Sequence, residues 1–248
     1  MSKRRLLAFI IIDLLLAYSV YRGYQAWSER EQLAITAELR ERGATMFPEA
    51  RPLSAFKLLD QEGEPFTNES LHGQWNLLFF GYTRCPDICP LTMKELAEFY
   101  GQLSQVEQEK VQVILGSIDP ERDDSATMKD YVGKFNEEFV GITGTRVDMS
   151  VLSKQLYIVY SDPSELIEHD GHDERELREQ RSQQNLNEAA AQATGDHSEH
   201  FESADDYLIS HSGHIAIIDP QGNFHGVIRL PHRDRDLLAI MRSVLESE

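Results

Sequence analysis

The chain has 248 residues, 42 of them acidic and 24 basic, with a net charge of −18 and only two cysteines. That length suffices for one domain with a sizeable core, and two cysteines exclude a disulfide-built scaffold. The acidic balance excludes direct nucleic-acid binding, which needs clustered Lys and Arg. The chain also lacks a G-x-x-x-x-G-K-[ST] or G-x-G-x-x-G phosphate loop and any internal repeat.

Lys3, Arg4 and Arg5 precede a run from Leu6 to Tyr21 that is apolar except for Asp13 and Ser19. This pattern predicts a membrane-targeting segment. A cleaved signal peptide competes with a retained anchor, because the run is short for a span and Asp13 is costly near mid-bilayer. No small-x-small cleavage site follows, and Tyr21, Tyr24 and Trp27 have the makings of an interfacial belt, so the reading is a single-pass anchor. Residues 1–27 are then a cytoplasmic tip and transmembrane helix. The remainder is placed on the periplasmic side of a bacterial inner membrane. Residues 28–46, dense in charge and helix formers, read as a juxtamembrane helix or linker, and residues 47–248 as the main domain.

Trp75 to Phe80 reads as a buried strand, and apolar residues at helical spacing from Leu91 to Leu103 predict a helix after it. Both cysteines fall at that junction, in Gly81-Tyr82-Thr83-Arg84-Cys85-Pro86-Asp87-Ile88-Cys89-Pro90. Pro90 suits a first helical turn. A helix N-terminus lowers thiol pKa values, and sharing one turn would put both sulfurs on one face. A redox disulfide, a structural disulfide and a clamp for one soft ion all remain open on this spacing.

A strand over Val111 to Leu115 leads into Ser117-Ile118-Asp119-Pro120-Glu121-Arg122-Asp123. Either Asp119 orients a ligand or docks a partner, or Asp119-Pro120 makes a turn and Asp123 or Ser125 caps the next helix, from Ala126 to Phe135, and both readings stay open. A short strand and a helix follow near Val140 and Met149. Between Asp162 and Asp206 lie fourteen acidic residues and three arginines, a net charge of −11. Such composition predicts a disordered acidic insert, taken as residues 163–205. Its pairs His169 and His172, and His197 and His200, read as a solvated acidic loop, with weak divalent-metal binding as the alternative. Strands around Ile215 and Phe224 to Leu230, and an amphipathic helix from Arg233, close a single α/β domain with a central mixed sheet flanked by helices.

The Cys85–Cys89 block, the Ser117–Asp123 block, and Ser210-His211-Ser212 running into Ile217-Ile218-Asp219-Pro220-Gln221-Gly222 resemble, in this order, the Sco/SenC family of copper-binding assembly factors for cytochrome c oxidase. The resemblance implies a thioredoxin-like fold holding one copper ion, as Cu(I) or Cu(II), through Cys85, Cys89 and His211. Two thiolates and an imidazole make a soft, exchangeable site of that kind, whereas structural zinc usually takes four protein ligands. His214 is the neighbouring competitor, and Ser210 stands where the family usually has an acidic residue.

The function implied is a membrane-anchored periplasmic copper metallochaperone for the dinuclear copper site of cytochrome c oxidase subunit II or another copper acceptor. Such a protein is expected to act as a carrier more than as an enzyme, with thiol-disulfide exchange activity left open beside it. Two alternatives share the fold: a thiol-disulfide reductase that keeps the target cysteines reduced, and a peroxidase-like redox sensor.

Overall fold

The structure, a computed structural model, describes residues 3–158 and 213–246, without the side chains of residues 3–14, 28, 29 and 31–33. Helix α1 runs unbroken over Lys3–Glu41. Leu15, Leu16, Val20, Tyr21, Tyr24 and Trp27 all stand exposed along it. Only its end joins the domain: Leu39 is buried, and just past the helix Arg42 pairs with Asp236 at 3.4 Å. Among the described residues no helix is long and apolar enough to cross a membrane. The expected anchor falls partly outside them, because the side chains of residues 6–14 in the apolar run are not described.

Eight strands form one sheet in the order β1-β8-β7-β4-β5-β6-β2-β3. They are β1 (Ala44–Pro52), β2 (Lys57–Asp60), β3 (Pro65–Thr67), β4 (Trp75–Gly81), β5 (Val111–Ser117), β6 (Val140–Thr143), β7 (Ile215–Ile218) and β8 (Asn223–Ile228). β4, β5 and β6 are parallel and the other neighbours antiparallel, which is the mixed sheet expected from the sequence. All seven residues of β4 are buried, as a strand covered on both faces requires. Strands β1 to β3 were not legible in the pattern. They lie toward the sheet's edges, half exposed, and β1 carries Pro48, Glu49, Arg51 and a register shift between Met46 and Arg51.

The helices are α2 (Ile88–Gly101), the one-turn α3 (Gln105–Gln108), α4 (Ser125–Val132), α5 (Arg146–Gln155) and, at the carboxyl end, α6 (Asp234–Glu246). α2 connects β4 to β5 and α4 connects β5 to β6, two crossovers between parallel strands that step the same way. Right-handed connections put both helices on one face. There Tyr100 of α2 meets Phe139, just ahead of β6, edge to face at 5.5 Å.

α4 is shorter than the expected Ala126 to Phe135, and its cap is neither Asp123 nor Ser125. The Asp124 carboxylate accepts the Thr127 N–H at 2.8 Å, which releases Asp123 for another task. The acidic insert at 163–205, with its four histidines, lies outside the described residues.

Candidate functional site

Parallel pairing of Gly81 with Ser117 brings the ends of β4 and β5 together, so the loops that leave them share one rim of the sheet. In open α/β sheets this carboxyl edge is where ligands are met. β4 delivers the cysteine loop there. Cys85 lies in the turn before α2, its N–H donating to the Tyr82 carbonyl at 3.2 Å, while Cys89 is in the first turn of the helix. Both side chains are thiols, joined by a hydrogen bond rather than a disulfide. Cys85 thus precedes the helix and does not share its first turn, yet its sulfur still meets that of Cys89.

The two sulfurs differ. Cys85 is half-buried and Cys89 fully buried against the backbone of β4. A Cβ at Gly81 would stand only 2.8 Å from the Cys89 Sγ, so glycine is what allows this sulfur its seat. The helix N-terminus does not make Cys89 acidic. Its hydrogen bond with Cys85 and its burial push the thiol well above the ordinary range, against a smaller lowering by the Tyr82 backbone N–H. Cys89 is thus stored as a thiol, and an ion able to displace its proton would stabilise the charged form.

Asp123 holds the cysteine loop from the β5 side. Its carboxylate accepts the Thr83 N–H at 3.1 Å, the Thr83 hydroxyl at 2.5 Å and the Ser117 hydroxyl at 2.8 Å. Burial raises the Asp123 pKa, opposed by those hydrogen bonds. Asp119 is equally buried but pairs with Arg122, and its N–H donates to the Ser117 hydroxyl at 3.0 Å. Of the two aspartates, Asp123 is the one that reaches the site. Its role was invisible in sequence, because Thr83 and Asp123 are forty residues apart and meet only through the β4–β5 pairing.

His211 lies outside the described residues. His214 is described, and its Nε2 meets the Leu156 carbonyl at 3.1 Å, at the end of α5. Buried His232 ties α2 to the approach of α6. Its Nδ1 faces the Thr92 hydroxyl and its Nε2 the Ile228 carbonyl, both at 3.3 Å.

Two thiols already in contact, one exposed enough to be approached and one seated on a glycine, suit two operations. They can close to a disulfide, or they can clamp one soft ion with two thiolates. The observed donor set fits copper in type, sulfur first, and the Gly81 cradle leaves the Cys89 sulfur close to the backbone without a competing side chain.

Fold and site together define a thioredoxin-like dithiol domain, with a cysteine pair where a central strand turns into a helix. The chain belongs to the SCO1/SenC family, whose model matches residues 46–177. It is 30% identical over 212 residues to a protein of Stutzerimonas stutzeri named for copper binding, covering 86% of each chain. Bradyrhizobium japonicum ScoI with copper bound is a structural neighbour at 26% identity and TM-score 0.56, covering 77% of this chain and 98% of that one. Yeast Sco1 with copper bound matches in fold at 23% identity and TM-score 0.60, over 80% and 90% of the two chains.

Proposed function

We propose that this protein is a copper metallochaperone that carries one copper ion on Cys85 and Cys89 and delivers it during assembly of cytochrome c oxidase. The carrying observation is the hydrogen-bonded thiol pair seated on Gly81. The family and the copper-bearing relatives supply the identity of the ion. Two thiolates favour Cu(I) and tolerate Cu(II), and a half-buried Cys85 gives an acceptor a sulfur to attack by ligand exchange.

His211 is the third ligand in this reading. β7 runs antiparallel to β4 with Ile215 opposite Phe79, so the chain enters β7 from the rim that carries the thiols, and His211 is four residues before Ile215. His214 is the weaker choice because its Nε2 is engaged with Leu156. The acceptor proposed is the dinuclear copper site of subunit II. The amino-terminal helix is the proposed anchor in a bacterial inner membrane, with the domain on the periplasmic side. A helix whose apolar and aromatic side chains stand exposed together has no partner within its own domain, as a membrane segment would not.

Thiol-disulfide exchange is the second reading, favoured by the contact between the two sulfurs. One experiment separates the two. The fragment lacking residues 1–27 is reduced, loaded anaerobically and assayed for bound copper and for its visible spectrum, beside a variant with both cysteines changed to serine. One tightly held copper with a thiolate-to-Cu(II) band that vanishes in the variant establishes the metallochaperone. No tight copper, with a readily reducible disulfide, establishes the exchange protein instead.

A further inference from the structure

His232 belongs to the segment between β8 and α6 and is 6% exposed. Its ring meets three elements. Nε2 lies 3.3 Å from the carbonyl of Ile228, the last residue of β8, and Nδ1 lies 3.3 Å from the Thr92 hydroxyl in α2. The ring also stands edge to face with Phe79 of β4, their centres 6.2 Å apart. A carbonyl can only accept, so the single N–H of this neutral ring is assigned to Nε2, and Nδ1 accepts from Thr92.

Two of the three contacts lead to Cys89. Thr92 is three residues beyond it, on the same side of the helix and one turn on. Phe79 is two residues before Gly81 on the same face of β4, and its Cε1 would stand 3.1 Å from a Gly81 Cβ that is itself 2.8 Å from the Cys89 Sγ. His232 thus backs both the helix that carries the sulfur and the ring beside its seat. Beyond Thr92 the buried side chains of α2 are Met93, Leu96, Phe99 and Tyr100. Packing of that kind is largely non-directional and lets a helix slide by tenths of an ångström, whereas a hydrogen bond weakens steeply with angle. A sulfur set against backbone with no room for a methyl is sensitive to such a slide.

We propose that His232 is a positioning residue for Cys89: by accepting from Thr92 and backing Phe79 it fixes the first turns of α2 over β4, so that the buried sulfur keeps its place on Gly81 while Cys85, carried by the loop, is the one offered to a partner. This rests on the cysteine pair being the working site of the proposed function.

The test uses Thr92→Val, which removes the hydroxyl at nearly constant shape, Thr92→Ser, which keeps it, His232→Leu, and the control Phe66→Leu, a core change in edge strand β3. Each reduced, metal-free protein is treated with iodoacetamide well below its melting temperature, and alkylation of Cys89 is read by peptide mass. Cu(I) affinity is read by competition with a chelator. In Thr92→Val and in His232→Leu, Cys89 is expected to react about three- to ten-fold faster and copper to bind weaker by a similar factor, the range that one hydrogen bond covers. Thr92→Ser should return both values toward wild type, and adding Thr92→Val to His232→Leu should change neither further. Phe66→Leu should lower the melting temperature and leave both values alone. Wild-type alkylation in Thr92→Val overturns the proposal, and so does a serine that restores nothing. Equal quickening in Phe66→Leu also overturns it, because Cys89 would then report general loosening of the core. A wild type that binds no copper at its cysteines ends the metallochaperone reading instead, and the alkylation rates still decide the role of His232.

Discussion

Asp123 grips Thr83 twice, by its backbone N–H at 3.1 Å and by its hydroxyl at 2.5 Å, and so fixes the loop that presents Cys85 two residues later. Asp123→Ala leaves these donors and the Ser117 hydroxyl without an acceptor in a buried place. We expect a loss of about 2–3 kcal/mol in urea unfolding. Alkylation of Cys85 should quicken under native conditions, because its loop is no longer braced. Unaltered alkylation in a variant that still folds would show that the Asp123–Thr83 contact does not control the cysteine.

Gly81→Ala tests the seat of Cys89 from the opposite side. The new methyl would stand 2.8 Å from the Sγ and 3.1 Å from the Phe79 ring. Overpacking of this kind costs about 1–3 kcal/mol. The displaced sulfur should lower copper affinity as well, which a competition titration with a Cu(I) chelator reads directly. Wild-type affinity in this variant would mean that the sulfur relocates without consequence.

His232 predicts a pH dependence that has nothing to do with metal. Burial lowers its pKa to about 4, against an ordinary value near 6.5. Above pH 6.5 the ring is neutral in both folded and unfolded chains, and its contribution is fully present. As the pH falls the unfolded chain takes up a proton that the folded one refuses, so stability is lost between about 6.5 and 4, by about 3 kcal/mol at most. His232→Gln cannot titrate. Chemical unfolding at several pH values should therefore show a shallower acid slope for the variant, and parallel slopes would contradict the buried neutral ring.

The amino-terminal helix should prove separable up to its last turns. Removing residues 1–27 deletes exposed Leu15, Leu16, Val20 and Trp27 but spares buried Leu39 and the Arg42–Asp236 pair. The truncated protein is expected to keep its melting temperature and move from the membrane fraction to the soluble one. Deletion through Glu41 removes Leu39 from the core and should cost about 1–3 kcal/mol in thermal or urea unfolding. Full-length protein found wholly in the soluble fraction would argue against anchoring.

His211→Ala addresses the third ligand. It is expected to leave the unfolding transition of the metal-free protein unchanged and to weaken copper by about ten-fold or more, the order of effect of losing one favourable metal contact. Unchanged copper affinity would remove His211 from the site, and His214→Ala then becomes the variant to titrate.

The strands that build the centre of the sheet were legible because they are buried on both faces. The apolar run Trp75 to Phe80 and the run from Val111 could hardly be anything else, and both lie where they were expected. The amphipathic carboxyl-terminal segment was legible for the related reason that one face of α6, with Leu237, Ile240, Met241 and Val244, must be covered. β1 to β3 were not, since half-exposed edge strands with prolines and charges carry little of that periodicity.

The sequence by itself also marked where the chemistry sits, because its only two cysteines lie four apart at a strand-to-helix junction, while the spacing left open whether they close a disulfide or clamp an ion. Only the tertiary structure decided their surroundings. It bent Cys85 back onto Cys89, made the buried thiol less acidic where a helix start alone would have made it more so, and enlisted Gly81 and Asp123 around the pair. The reason is that desolvation and hydrogen bonding depend on what lies within a few ångströms in space. Here those neighbours come from β4 and from the loop after β5, segments that no local pattern in the chain connects.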